Sequence, residues 1–219
     1  MYTQAEENYL KAIFKIAERE KKSVSTNAVA GFMKTSAASA TDMLQRLSEK
    51  KMVTYEKYKG VFLTPLGNRI AIQLVRKHRL WEVFLADKLK FAWHQVHDLA
   101  EMLEHIDSEE LINRLDEFLQ YPKFDPHGDP IPNAEGKFTL RSQWSVAELP
   151  AGSSGVLIGV KEHDTDFLEY LNDLKIRLGT QIKVVQKVSY DQSFRILTDG
   201  RFDHLISKQV AGNLLVKKV

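Results

Sequence analysis

Two histidines and two glutamates in the stretch His97-Asp-Leu-Ala-Glu-Met-Leu-Glu-His105 have the spacing of donors that share a cation. At about 100° per residue, His97, Glu101, Glu104 and His105 fall within roughly 100° of one helix surface, where imidazole and carboxylate groups can converge on one ion. His78 and Glu82, four residues apart, precede them and bring the potential ligands to six within 28 positions. A solvated polar helix face would carry the same residue types. Because the chain has no cysteine, any metal is left to oxygen and imidazole donors, a set that favours Mn(II) or Fe(II) over Cu(I) or thiolate zinc.

Catalysis is a poorer reading of these residues. Di-iron carboxylate sites use Glu-x-x-His pairs, but Glu101 is followed three residues later by Glu104, and Glu82 by Leu85. The chain also has no glycine-rich phosphate loop and no nucleophile elbow, so it is not expected to be an enzyme.

The ligands need elements to hold them. With 219 residues, 43% of them hydrophobic, the chain can bury a proper core. It has no apolar run of membrane-spanning length, and Met1 to Ile16 mixes charge with helical periodicity, so a cytoplasmic protein without membrane contact is expected. The net charge of +2 hides an uneven distribution. Residues 1–71 carry 12 Lys and Arg against 7 Asp and Glu, residues 72–140 carry 8 against 13, and residues 141–219 carry 11 against 9. A basic first segment suits a polyanion, and an acidic middle suits a cation or a partner protein.

Tyr9, Leu10, Ile13, Phe14 and Ile16 predict a first helix over about 5–17. Ser25 or Thr26 can cap a short helix through Met33, and Ser36 another over 37–50, which together have the proportions of a helix-turn-helix. Strands over 52–56 and 61–64, with Gly60 in the turn between them, read as a wing. Asn27 and the small residues Ser36, Ala38, Ser39 and Thr41 are candidate contacts to a DNA groove, with Arg46, Lys57 and Lys59 as phosphate contacts. Thr64-Pro65 starts a helix that continues to about Lys88 and carries His78 and Glu82. Further helices are expected over the ligand stretch and from Asp107 to about Gln120, and residues 122–136 read as an irregular connector. Strands over 155–160, 181–186, 193–197 and 214–219, with a helix over 166–174, fit a small β-barrel of the SH3-like kind.

In sequence order the wing, Arg76-Lys-His-Arg-Leu80 with Glu82, Val96-His-Asp98 leading to Glu104-His105, and Pro126-His-Gly-Asp-Pro-Ile-Pro132 resemble the diphtheria-toxin-repressor and manganese-transport-regulator family over nearly the whole chain. The resemblance implies a homodimeric, metal-activated repressor of metal homeostasis that binds double-stranded operator DNA. Its parts would be a winged helix-turn-helix domain (1–71), a helical metal-binding and dimerisation domain (72–140) and an SH3-like, FeoA-like domain (141–219).

It further implies two Mn(II) or Fe(II) sites per subunit. Glu101, Glu104 and His105 would hold the regulatory ion with Asn8, where iron regulators carry methionine and manganese regulators aspartate. His78, Glu82 and His97 would form an ancillary site completed by Asp164 or His163. Lys11 falls where some short manganese regulators place a second acidic ligand. The hypothesis is that metal restricts a hinge near Arg69 to Arg76. A metal-independent winged-helix regulator, with the His/Glu face as a dimer surface, and a metal-binding enzyme or buffer are the alternative readings.

Overall fold

A computed structural model describes residues 2–20, 23–56 and 60–219. They form two compact units, residues 1–78, 104–109 and 132–137 in the first, and residues 79–103, 110–131 and 138–219 in the second.

In the first unit α1 (Gln4–Glu20), α2 (Thr26–Phe32) and α3 (Ala37–Glu49) precede the antiparallel strands β1 (Val53–Glu56) and β2 (Gly60–Leu63). The predicted caps form: Ser25 Oγ accepts from the Ala28 N–H at 3.1 Å, and Ser36 Oγ from the Ser39 N–H at 3.1 Å. The apolar stripe of α1 is buried, as are Ala40, Leu44 and Leu47 of α3. Gly60 has a φ of 104°, and a Cβ there would lie 2.8 Å from the Val24 carbonyl oxygen, so the wing needs glycine at this point. Lys57 and Lys59, expected at phosphates, lie outside the described residues.

Helix α4 (Pro65–Val83) begins as predicted, with Thr64 Oγ1 accepting from the Gly67 N–H at 3.2 Å. It runs on as a π-helical segment over Phe84–Lys88, closed by Leu89 N–H donating to the Phe84 carbonyl at 3.3 Å. The hinge expected near Arg69 to Arg76 therefore lies inside regular helix, where Ala71, Leu74 and Val75 are buried; the departure from α geometry comes later, at Phe84.

The second unit holds α5 (Val96–Leu103) and α6 (Glu109–Phe118), with Val96, Ala100, Ile112 and Leu115 buried against Leu80, Val83 and Leu85. Helix α5 ends at Leu103. Glu104 and His105 follow in a turn, so the four residues expected on one helical face are divided between two elements.

The remaining strands are β3 (Trp144–Ser145), β4 (Ser154–Val160), β5 (Gln181–Lys187), β6 (Phe194–Thr198), β7 (Phe202–Ile206) and β8 (Leu214–Lys218), with α7 (Thr165–Asp173) and α8 (Lys208–Asn213). They form one antiparallel sheet in the order β3-β8-β4-β5-β6-β7, and no ladder joins β7 to β3 among the described residues. Leu157, Ile182, Val184, Ile196 and Val216 meet Leu168 and Leu171 of α7 in its core. Strand β7 escaped the sequence pattern because it is an edge strand with little buried apolar alternation. Asp199 and Gly200, with φ of 48° and 66°, make the tight turn into it.

Candidate functional site

Glu104 is fully buried in the first unit. Its Oε1 accepts from Lys11 Nζ at 2.5 Å, and its Oε2 lies 2.6 Å from His78 Nδ1. His105 places Nδ1 2.6 Å from Glu7 Oε2 and Nε2 3.8 Å from Glu104 Oε1. The Nδ1–H donates to the Glu7 carboxylate, so in the neutral imidazole the lone pair sits on Nε2, on the Glu104 side. On α1, one residue after Glu7, the Asn8 Oδ1 is buried with no hydrogen-bond partner. A carbonyl oxygen sealed from water without a donor is costly, and a cation is one group that satisfies it. Carboxylate, imidazole and amide oxygen together suit a hard or borderline divalent ion.

A second cluster lies in the other unit. Glu82, Asp125 and His127 are all buried and place one donor atom each within 4.8 Å of one another. Glu82 Oε1 is 3.3 Å from His97 Nδ1 and 3.6 Å from His127 Nδ1. The latter distance is an ion-pair separation, too long for a hydrogen bond, and His127 Nδ1 is buried with no hydrogen-bond partner. Its other nitrogen, Nε2, donates to the Trp93 carbonyl at 2.8 Å, which fixes the ring with Nδ1 facing the carboxylates.

Around this cluster charge is tightly balanced. Burial, then Glu82 and Asp129, push the Asp125 carboxyl up to about 7 against the opposing effect of His127 and Arg79. Burial lowers the affinity of His127 for a proton, but Glu82, Asp125 and the Trp93 carbonyl outweigh it and raise the imidazole to about 9. Arg79 reaches Asp129 at 2.9 Å and Asp125 at 3.6 Å. The loop itself is closed by Asp125 Oδ1, which accepts from the N–H groups of His127 and Asp129 at 2.8 and 2.9 Å.

That loop is fastened to β4. Val160 N–H donates to the His127 carbonyl at 2.9 Å, and Arg141 donates to the carbonyls of Gly128 and Ile158 while its guanidinium lies 3.9 Å from the centroid of the Phe124 ring. Gly128 has a φ of 89°, and a Cβ there would come within 2.1 Å of the Ile158 carbonyl oxygen.

Profiles of three protein families match the chain: the iron dependent repressor, N-terminal DNA binding domain over residues 1–61, the iron dependent repressor, metal binding and dimerisation domain over 64–133, and the FeoA domain over 145–218. A solved structure of a manganese-dependent transcriptional repressor in complex with manganese is 30% identical, with a TM-score of 0.88, and the match covers 98% of this chain and all of that one. The chain belongs to the iron-dependent repressor family. It is also similar to the diphtheria toxin repressor of Corynebacterium glutamicum, at 27% identity over 83% of each chain. The iron-dependent repressor IdeR of Mycobacterium leprae is 28% identical over 97% of this chain and 96% of its own length.

As a member of this family the chain is a metal-dependent regulator of transcription with a DNA-binding domain, a metal-binding and dimerisation domain and a FeoA domain, and not an enzyme. Within that frame the expected ligands are distributed unevenly. Asn8, Glu104 and His105 belong to one unit, together with His78, which sits on Glu104 Oε2. His97 meets Glu82 and, at 3.7 Å, Glu101 in the other. Asp164 caps α7, its Oδ1 accepting from the Asp166 N–H at 3.0 Å. His163 instead stacks on His127, with ring centroids 4.7 Å apart.

Asp125 and His127 were missed because they lie in the segment read as a connector. A histidine and two aspartates bounded by prolines were the available signal.

On the DNA-binding side Asn27, Ser36, Ala38, Ser39 and Arg46 are exposed. Three hydroxyls expected at the groove are already engaged: Ser36 with Ser39 at 2.9 Å, and Thr41 donating to the Ala37 carbonyl at 2.8 Å. That leaves Asn27, Ala38 and Arg46 as the less committed side chains of this surface.

Proposed function

We propose that this repressor binds double-stranded operator DNA as a homodimer when Mn(II) or Fe(II) occupies a centre built on Asn8, Glu104 and His105. The observation that carries this reading is the buried, unpartnered Asn8 Oδ1 on α1, the first helix of the DNA-binding domain. A bound divalent cation would join donors from separate elements. His78 orients Glu104, Glu7 orients His105, and Asn8, one residue after Glu7, would bring α1 to the same centre. The effect is to favour one disposition of the recognition helices, matched to half-sites about 34 Å apart. Glu101 enters this first centre on the family resemblance, and its Oε1 lies 3.7 Å from His97 Nε2.

A second cation site per subunit is proposed at Glu82, His97, Asp125 and His127, with His163 favoured over Asp164 by its stack on His127. The support is His127 Nδ1, buried, unpartnered by hydrogen bonds and fixed toward Glu82 by the Trp93 contact. Exposed Met102 on α5 and Leu111 and Phe118 on α6 supply apolar surface for the homodimer. We assign residues 1–71 to DNA binding, 72–140 to metal binding and dimerisation, and 141–219 to the FeoA-type domain that fastens the second site.

Fluorescence anisotropy with operator fragments, in chelator, Mn(II), Fe(II) and Zn(II) in turn, tests the reading. Tight binding only with a divalent ion is expected. Equal binding in chelator would establish the metal-independent alternative.

A further inference from the structure

Lys11 ends on the carboxylate oxygen that faces His105. Its residue is only 3% exposed, and Nζ lies 2.5 Å from Glu104 Oε1, the same atom that His105 Nε2 approaches at 3.8 Å. Lysine is rarely buried so deeply, because an ammonium leaves water only where a counter-charge meets it. Glu104 is that counter-charge, and its second oxygen is engaged with His78 at 2.6 Å. A divalent ion that coordinates Oε1 beside His105 therefore meets an ammonium already on that atom.

We propose that Lys11 is a resident cation of the Glu104 centre, which a divalent ion must displace, so that Lys11 sets the metal concentration at which the centre fills. The inference rests on the reading of Glu104 as a ligand. Two positive charges on one carboxylate oxygen repel strongly in a site shielded from water. Lysine can yield, because its charge is a compact point on a flexible four-carbon stem that can carry the head to solvent. In the metal-free chain the ammonium neutralises a carboxylate that would otherwise be buried uncompensated. Filling the centre is then an exchange of one cation for another, and the side chain that leaves belongs to α1, beside Asn8.

The test is direct Mn(II) titration of the full chain, by competition with a fluorescent chelator, for the native protein, Lys11→Gln, Lys11→Met and Lys11→Arg. Lys11→Gln and Lys11→Met should tighten Mn(II) binding at least tenfold, while Lys11→Arg, which keeps the charge, should stay within about threefold of native. Should the methionine variant not fold, the glutamine variant, which can still hydrogen-bond Glu104, decides. Lys77→Gln removes the same charge from a half-buried lysine that donates to the Ile106 carbonyl, and it should leave affinity unchanged.

Unchanged or weaker binding in Lys11→Gln overturns the inference, as does equal tightening in Lys77→Gln. A Glu104→Gln arm separates the two layers. If Glu104→Gln binds Mn(II) as native does, the ligand reading itself falls; if it weakens binding and Lys11→Gln does not tighten it, only the role of Lys11 falls.

Discussion

Glu104 and Asp125 are both buried carboxylates, yet the chain balances them by different means. Glu104 is met by the flexible ammonium of Lys11 and by one nitrogen of His78, in a unit that also carries the DNA-binding helices. Asp125 is held in a closed loop, its carboxylate between the backbone N–H groups of His127 and Asp129 and the guanidinium of Arg79, and the loop is fastened to β4. A lysine can be exchanged for a metal ion with little rearrangement of the backbone. An arginine fork with backbone bonds cannot. On the proposed function, this contrast puts regulation at the Glu104 centre and a more structural role at the Glu82–Asp125–His127 cluster.

The strongest attempt to break this contrast is Glu104→Gln. It leaves the Lys11 ammonium buried without its counter-charge, so stability should fall by on the order of 3 kcal/mol in chemical denaturation. Metal-dependent operator binding, read by anisotropy, should fall at least 100-fold, well beyond the effect of His127→Ala. A larger effect from His127→Ala would reverse the roles of the two clusters.

Next in size is the pH dependence of the metal-free chain. The His127 pKa is raised to about 9 from an ordinary 6.5, so its proton stabilises the fold fully below about 6.5 and that contribution is lost as pH rises through 9. Asp125, raised to about 7, acts in the same sense at lower pH, since the folded chain keeps its proton longer than the unfolded one. Unfolding in chelator should show a loss on the order of 2 kcal/mol between pH 6.5 and 9, which His127→Asn flattens. An identical slope in the variant would remove His127 as its source. Because the ion takes the place of that proton, Mn(II) affinity at this cluster should rise about tenfold per pH unit below 9.

Two smaller effects sharpen the comparison. Asn8→Asp gives the first centre a charged donor and should tighten Mn(II) binding there about tenfold, close to 1.4 kcal/mol, without altering the second event in calorimetry. Arg141→Lys keeps the charge but loses the paired carbonyl contacts and the stack on Phe124. It should cost about 1 kcal/mol and weaken only the second event. If either variant changed both events alike, the two centres would not be independent.

Periodicity and capping made most of the helical elements legible. Ser25, Ser36 and Thr64 announce helix starts that the structure confirms, and the stripe of Tyr9 to Ile16 is buried as its spacing predicts. The ligand stretch was less legible, because spacing within one helix says nothing about where the helix stops. Helix α5 ends at Leu103, and Glu104 turns away to meet Lys11 and His78, partners 93 and 26 residues distant in sequence. Asp125 and His127 were hidden for a related reason. Proline and glycine mark a segment as irregular, but burial of an irregular loop depends on contacts such as Arg141 with Gly128 that no local pattern carries.

The most direct test of the central claim, that a cation at the Glu104 centre drives operator binding, is Mn(II) affinity measured with and without saturating operator DNA. Linkage requires operator to tighten Mn(II) binding by the same factor by which Mn(II) tightens operator binding, and the account predicts matching factors of at least tenfold. Equal Mn(II) affinity in the presence and absence of operator would contradict it.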